Sequence, residues 1–459
     1  MNNQEIKTPL NAEENGKMSE WQEKKLRQIV EIKVSNVDKK IYPNKTLVKL
    51  CNYMDAYSND YISNKLPFSV GSADSNEIQK FGLRQGDVII TKDSESPDDI
   101  AVSSVVIEPL ENVVCGYHLA ILRPNKNELD GCFLMMKLKL PDLKNYFFGV
   151  ANGSTRYGLT IGNIENAKIS FPPLPQQQKI AKILSTADAV IEKTQAAIAK
   201  YKAIKQGLLH DLFTRGVVSE TVKVTNEQGK EEEKTIWKLR PTYQEASHLY
   251  KESKLGMVPK EWEDCKMGKY ILANLYGPRF NAKDYAENGN VKTIRGTDFT
   301  KEGKILYEQA PKALLETVLI NTHKLNNGDI VIVTTADCGL TAVFEKPIND
   351  VDFIPSAYSV KYRFAENVNP YYIKYFMVTD SAIKQVNKFV RQGTLGNLPG
   401  SDILKFEMIY PKKDEQNEIV TRISTIDQKL QTEQAYLQKL HRLKAGLMGD
   451  LLSGKKRVK

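Results

Sequence analysis

With 459 residues the chain is long enough for two to four domains, each able to bury its own core. Hydrophobic residues make up 41% and charged residues 26%, and no apolar run approaches the roughly 18 residues of a membrane helix, which excludes a helical membrane protein and leaves an ordinary globular one. A net charge of +9 permits a polyanionic partner without requiring one.

Residues 1–20 read as a polar tail without the apolar core of a secretion signal, so a cytoplasmic protein is expected. Residues 21–171 mix short β-branched runs with short helical patterns. Trp21 stands near the start, before Lys25-Leu26. Strands are expected at Val88–Thr91, behind a Gly86-Asp87 turn, at Ala101–Ile107 and at His118–Leu122, with a helix at Phe133–Lys139. Residues 172–216 read as one long helix, with Pro175 in its first turn, where proline is tolerated. Residues 217–254 are polar with few apolar anchors and read as a linker. Residues 255–410 form a second mixed region. It opens near Trp262, before Lys266-Met267, with strands at Asp329–Val333, Thr341–Phe344 and Ser359–Phe364 and a helix at Tyr371–Phe389. Residues 411–454 read as a second long helix, with Asp414 as its cap, and 455–459 as a basic tail.

The chain therefore repeats itself once. Residues 172–212 align with 411–451 without a gap, with fourteen identities that include Gln177/Gln416, Asp188/Asp427 and Lys205/Lys444. Three-four spacing places Ile180, Leu184, Ile191, Ile198, Leu208 and Leu212 on one seam, and Ile419, Ile423, Leu430, Leu437, Leu447 and Leu451 on its counterpart. Thr194, Glu433, Lys205 and Lys444 interrupt the stripes, and Ile204 and Leu443 are expected to fill in beside the lysines. An apolar stripe on a helix of ~58 Å needs a partner. The other copy is the nearest candidate, so an antiparallel pair is expected; the alternative is that each helix folds back on its own domain. The fold class is thus α+β, two divergent domains set apart by two long antiparallel coiled-coil helices, with a pseudo-twofold repeat.

Several strings carry a family resemblance. They are P-P-L-P-Q-Q-Q-K-I-A-K-I-L-S-T-A-D from Pro172 to Asp188, and its degenerate second copy that keeps Glu415, Gln416 and Ile419. They continue with the helix ends Lys205–Gly216 and Lys444–Gly454, the loops Gly153–Leu159 and Gly393–Leu398, and the lead-in Gly256–Trp262. Over about residues 20–455 the chain resembles the specificity subunits of type I restriction–modification systems. The resemblance implies two target recognition domains, each reading one half of a split site on double-stranded DNA. It implies helices that dock two modification subunits, which methylate adenine, with two ATP-dependent restriction subunits able to join. S-adenosylmethionine, ATP and magnesium are then expected in those partners and no cofactor in this chain, which is not itself an enzyme. Two departures bear on this: Lys412-Lys413-Asp414 replaces Pro173-Leu174-Pro175, which weakens the expected docking at that helix start, and the first domain lacks the glycine–proline lead-in. A rigid ~58 Å spacer would set the two reading heads at most about 17 base pairs apart.

Base edges and phosphates are read by basic and small polar side chains on loops that glycine lets approach closely. The DNA-facing candidates are Lys92, Ser94, Asn152, Ser154, Thr155, Arg156 and Tyr157 in the first domain, and Arg279, Asn281, Lys283, Arg295, Arg391, Gln392 and Thr394 in the second. Two rival functions remain. Asn369-Pro370-Tyr371-Tyr372 looks like a damaged N-P-P-Y loop of an adenine methyltransferase, but its second proline is missing and no glycine-rich turn for S-adenosylmethionine follows a strand, so a proline opening the Tyr371 helix is the preferred reading. A structural coiled-coil scaffold would explain the helices but not two large divergent domains. No metal site is expected: the cysteines (Cys51, Cys115, Cys132, Cys265 and Cys338) and histidines lack paired short spacings.

Overall fold

The computed structural model describes residues 21–225 and 230–458; the expected tail at 1–20 lies outside them, as does Lys459 of the basic tail. The chain divides into two units, one built from residues up to Ala196 together with those from Ala435 onward, the other from Ala197–Gln434. Each long helix therefore contributes to both: the central helix spans Leu174–Thr214 and the C-terminal helix Lys413–Leu452.

Each unit is built on the same sheet plan. In the first, a five-stranded sheet runs in the order Val30–Val34, Leu119–Pro124, Val88–Thr91, Ser103–Val106, Tyr61–Ile62. In the second, a four-stranded sheet runs Ile271–Tyr276, Ser359–Phe364, Ile330–Val333, Thr341–Val343. A smaller three-stranded sheet accompanies each and contains one parallel pair: Thr46–Cys51 beside Val113–Cys115, and Val291–Ile294 beside Asp352–Pro355. The central strands Val88–Thr91 and Ile330–Val333 are buried along their whole length, as continuous β-branched runs should be.

The Gly-Asp turn that opens both central strands does more than reverse the chain. Gly86 and Gly328 take φ of 92° and 86°, which favours glycine. The aspartates that follow are almost fully buried and each receives a two-pronged bond from an arginine on the neighbouring strand. Arg123 Nε and Nη2 donate to Asp87 at 2.8 Å each, and Arg363 Nε and Nη2 to Asp329 at 2.8 and 2.9 Å. Such forked pairs satisfy a buried carboxylate and fix strand register.

Several expected elements end where the backbone forces them to. The strand expected at Ala101–Ile107 is Ser103–Val106, because Ala101 has a φ of 58° that no strand accommodates. His118, expected to open a strand, has a φ of 74°, and the strand starts at Leu119. The Tyr371–Phe389 helix is two helices, Pro370–Phe376 and Asp380–Phe389. Thr379 separates them: its hydroxyl donates to Phe376 O at 2.7 Å and accepts from Ala382 N at 3.3 Å, capping the second helix. The segment 217–254 is not a coil: Val217–Thr225 pairs with Glu231–Leu239 in a long hairpin, and Tyr250–Ser253 with Gly256–Pro259. Its alternating β-branched residues, Val218, Val222 and Val224, favour a ribbon, and Val217, Trp237 and Leu239 root it in the second unit's core. Asp414 lies within the first turn of its helix rather than capping it.

Within each unit the start of one long helix lies with the end of the other, so the seam is antiparallel. In the first unit Ile180, Ala181 and Leu184 share a core with Leu447, Met448, Leu451 and Leu452. In the second, Leu208, Leu209 and Leu212 share one with Ile419 and Ile423. Of the other seam residues, Ile191, Ile198 and Leu430 are buried and Leu437 is half-buried. Ile204 and Leu443 do not fill the gaps; they are 41% and 55% exposed. The lysines stay in the seam because each has an acid: Lys205 Nζ lies 2.5 Å from Asp427 Oδ1, and Lys444 pairs with Asp188 Oδ1. A tyrosine from the neighbouring domain completes each node, Tyr61 donating to Asp188 at 2.8 Å and Tyr375 to Asp427 at 2.9 Å. Burial first, then the adjoining carboxylate, pushes both phenols far above their usual titration range, so they remain donors. Thr194 turns its hydroxyl onto Val190 O at 2.8 Å. Asp427→Asn, which keeps the tyrosine bond but not the charge, is expected to cost roughly 1–2 kcal/mol, read by chemical denaturation. The swapped pair Lys205→Asp with Asp427→Lys should recover part of that loss.

Candidate nucleic-acid interface

The loops that leave one end of each sheet are laced together by the same backbone hydrogen bonds in both units. In the first unit Gly116 N donates to Cys51 O at 2.8 Å, Lys92 N to His118 O at 2.9 Å and Leu159 N to Lys92 O at 2.9 Å. In the second, Ser356 N donates to Ile294 O at 2.8 Å, Thr334 N to Tyr358 O at 2.9 Å and Leu398 N to Thr334 O at 2.8 Å. The glycine loop closes on itself each time: Asn152 and Gly158 exchange bonds of 3.1 and 2.9 Å, and Arg391 and Asn397 bonds of 2.8 and 3.1 Å. This shared skeleton makes three pairs of positions equivalent: Asn52 with Arg295, His118 with Tyr358, and Asn152 with Arg391. The side chains at those positions differ completely.

In the first unit the skeleton gathers most of the expected residues. Asn152, Ser154, Thr155 and Arg156 are exposed on the glycine loop, and Tyr157 at its end pairs with Ser94. Gly153 has a φ of 142°, and a Cβ there would lie 2.0 Å from Arg156 O, so glycine is required to close the loop that carries Arg156. Ser94 is buried, hydrogen-bonded by Ser96 N at 3.3 Å, and faces inward rather than outward. Lys92 Nζ donates to Asp93 Oδ1 at 2.9 Å. Burial opposes the charge on Asp93, but the bonds from His118 and Lys92 outweigh it and hold the carboxyl below its usual range. Aromatic rings surround the group: Tyr117 lies 3.9 Å from the His118 ring, and Tyr53 stacks with Tyr57 at 5.5 Å.

In the second unit Arg295, Arg391, Gln392 and Thr394 are exposed on the equivalent loops. Asp298, fully buried, braces Arg295 by bonds of 3.1 Å from Nε and 2.9 Å from Nη2, while the Arg295 side chain stays 44% exposed. Arg391 leans toward Asp402 at 3.7 Å. Arg279 follows Gly277, whose missing Cβ would lie 2.0 Å from Pro355 O, so this stretch runs against the 355–358 turn. Asn281 and Lys283 sit further along, on a turn whose Asp284 O accepts from Leu314 N at 2.8 Å. Sequence reading missed Asn52, His118 and Tyr358, because their equivalence shows only when the two copies are matched by hydrogen bonds.

The Asn369-Pro370-Tyr371-Tyr372 run opens a helix. Asn369 caps it, accepting from Tyr371 N at 2.9 Å and donating to Asn417 at 2.8 Å, and Tyr372 is fully buried with its hydroxyl on Ile409 O. Neither side chain is free to hold a flipped base. Among the described residues no helix is long and apolar enough to cross a membrane, and no group of three or more histidine, cysteine or acidic side chains could hold a metal.

Comparison with known proteins agrees with the duplicated plan. The type I restriction enzyme MjaVIII specificity subunit of Methanocaldococcus jannaschii is 25% identical over 341 residues, covering 73% of this chain and 72% of its own length. Another protein of that organism, with the provisional name of type I restriction enzyme MjaX specificity subunit, is 24% identical over 453 residues, covering 96% of this chain and 94% of its own. The crystal structure of a type I restriction–modification system S subunit from M. genitalium shares the fold, with a TM-score of 0.55 at 15% identity, covering 94% of this chain and 96% of that one. The type I restriction modification DNA specificity domain matches twice, at residues 18–201 and 259–442, and the chain belongs to that family.

Proposed function

We propose that the chain selects the DNA sequence for a type I restriction–modification complex and performs no chemistry itself. Each unit reads one half of a split site through the loop cluster at its sheet end. The paired helices dock two modification subunits, and restriction subunits join that assembly. S-adenosylmethionine, ATP and magnesium belong to those partners. The observation that carries this reading is the loop cluster built twice on one hydrogen-bond skeleton with unrelated side chains. That is what two readers of different half-sites require: constant backbone geometry and variable base-edge chemistry.

The test is methylome sequencing of cells that express the chain with its modification partner. A split adenine motif should appear. Replacing the second unit's reading loops should change one half of the motif only; an unsplit motif, or loss of both halves together, would refute the reading. At residue level, Arg156→Ala should weaken binding roughly ten-fold on duplexes matched at the first half, in gel-shift titrations at fixed salt. Equal binding by variant and parent would remove Arg156 from the interface.

A further inference from the structure

The first unit holds an arrangement that the second lacks. His118 Nδ1 lies 2.6 Å from Asp93 Oδ2, and its Nε2 lies 3.2 Å from Arg156 Nη2. A guanidinium only donates, so Nε2 must present its lone pair. The imidazole is therefore neutral with its proton on Nδ1, donated to Asp93. A three-part chain results: carboxylate, imidazole, guanidinium. The last member stands on the exposed loop and the first is held inside by Lys92. The backbone is bent to place the ring, since His118 carries a φ of 74°. The two loops are joined besides by the pairing of Tyr157 and Gly158 with Ser94 and Asp93.

We propose that His118 is the positioning residue of the first half-site reader: it aims Arg156 at the DNA, and Asp93 fixes the tautomer that lets it do so. The inference rests on the function proposed above and goes further, naming the device that orients one reading arginine. The charged and titratable groups around the ring are Asp93 and Lys92 on the strand-end loop, Arg156 on the glycine loop and Tyr117 beside it. Beyond them stand Tyr53 with Glu95 and Asp99. In the second unit Tyr358 occupies the matching place, so the second half-site serves as an internal control.

The experiment uses the full chain with its modification subunits and duplexes carrying the split motif, with single-base changes in either half. The parent complex should discriminate by roughly ten-fold or more at the base read by Arg156. His118→Asn, which tolerates the left-handed backbone, should lose most of that discrimination at the first half and keep it at the second. Asp93→Asn, nearly isosteric, should act in the same direction and guards against a folding defect in the first variant. Parental discrimination in both variants, or an equal loss at both halves, would overturn the proposal while leaving the split-site function intact. Absence of any split motif would overturn the function beneath it, and the proposal with it.

Discussion

Glu415→Ala is expected to remove about 3–5 kcal/mol from the stability of the second unit. The Glu415 carboxylate is 5% exposed and accepts from Val217 N at 3.0 Å, Trp262 Nε1 at 3.0 Å, Arg240 Nη2 at 3.0 Å and Arg240 Nη1. Arg240, 6% exposed, also bonds Arg215 O and Glu261 at 3.1 Å each. Removing the acid leaves the buried guanidinium with only the half-exposed Glu261 to offset its charge and strands two donors, and the weakened charge compensation is the larger part of the cost. Replacing both partners together, Glu415→Leu with Arg240→Leu, should recover much of the loss, because the pair's mutual attraction largely offsets its own desolvation. Gly216 fixes the geometry: with φ of 60°, its missing Cβ would lie 2.2 Å from the Trp262 ring. Urea denaturation of the two variants side by side measures the difference, and equal loss in both would show that the ion pair carries more than its desolvation.

The second large effect is expected at the entry of each long helix. Gln177 donates to Pro172 O and Glu128 O at 2.8 Å each and accepts from Asp130 N at 2.9 Å. Gln416 repeats the pattern, donating to Pro411 O at 2.8 Å and Asn367 O at 3.2 Å and accepting from Asn369 N at 2.8 Å. Both side chains are buried, so each alanine leaves backbone groups without partners, at roughly 3 kcal/mol per unit. Gln177→Met, of similar shape but without the amide, should be nearly as damaging. Hydrogen exchange at the Asp130 amide should accelerate in Gln177→Ala and stay unchanged in Gln416→Ala. The converse holds at Asn369.

Much of this plan was legible in the sequence. Ungapped identity over residues 172–212 and 411–451 revealed the repeat, and seam spacing placed the long helices within a few residues of their ends. The β-branched run Val88–Thr91 and the alternating Ser359–Phe364 are strands as expected, because period and propensity agree there. What failed was non-local or backbone-driven. Lys205 and Lys444 look like interruptions of a hydrophobic stripe until Asp427 and Asp188 are seen opposite them. The hairpin at 217–239 hides behind its charges. His118 gave no signal, since its role depends on a left-handed backbone and on Asp93 and Arg156, which are distant along the chain.

The way the chain closes on itself governs the order of its maturation. The second unit is one uninterrupted stretch, Ala197–Gln434, whereas the first needs residues that follow that stretch: Leu451 and Leu452 belong to its core, and Gly454 packs on Trp21. Of the two units, the one that leaves the ribosome first is therefore completed second. At about 5–20 residues per second it waits many seconds with an open apolar wall while the second unit is synthesised. Emergence of Leu447–Leu452, rather than of the first domain's own stretch, is the event that finishes that domain, and nascent chains stalled short of Leu447 should leave it exposed to proteases.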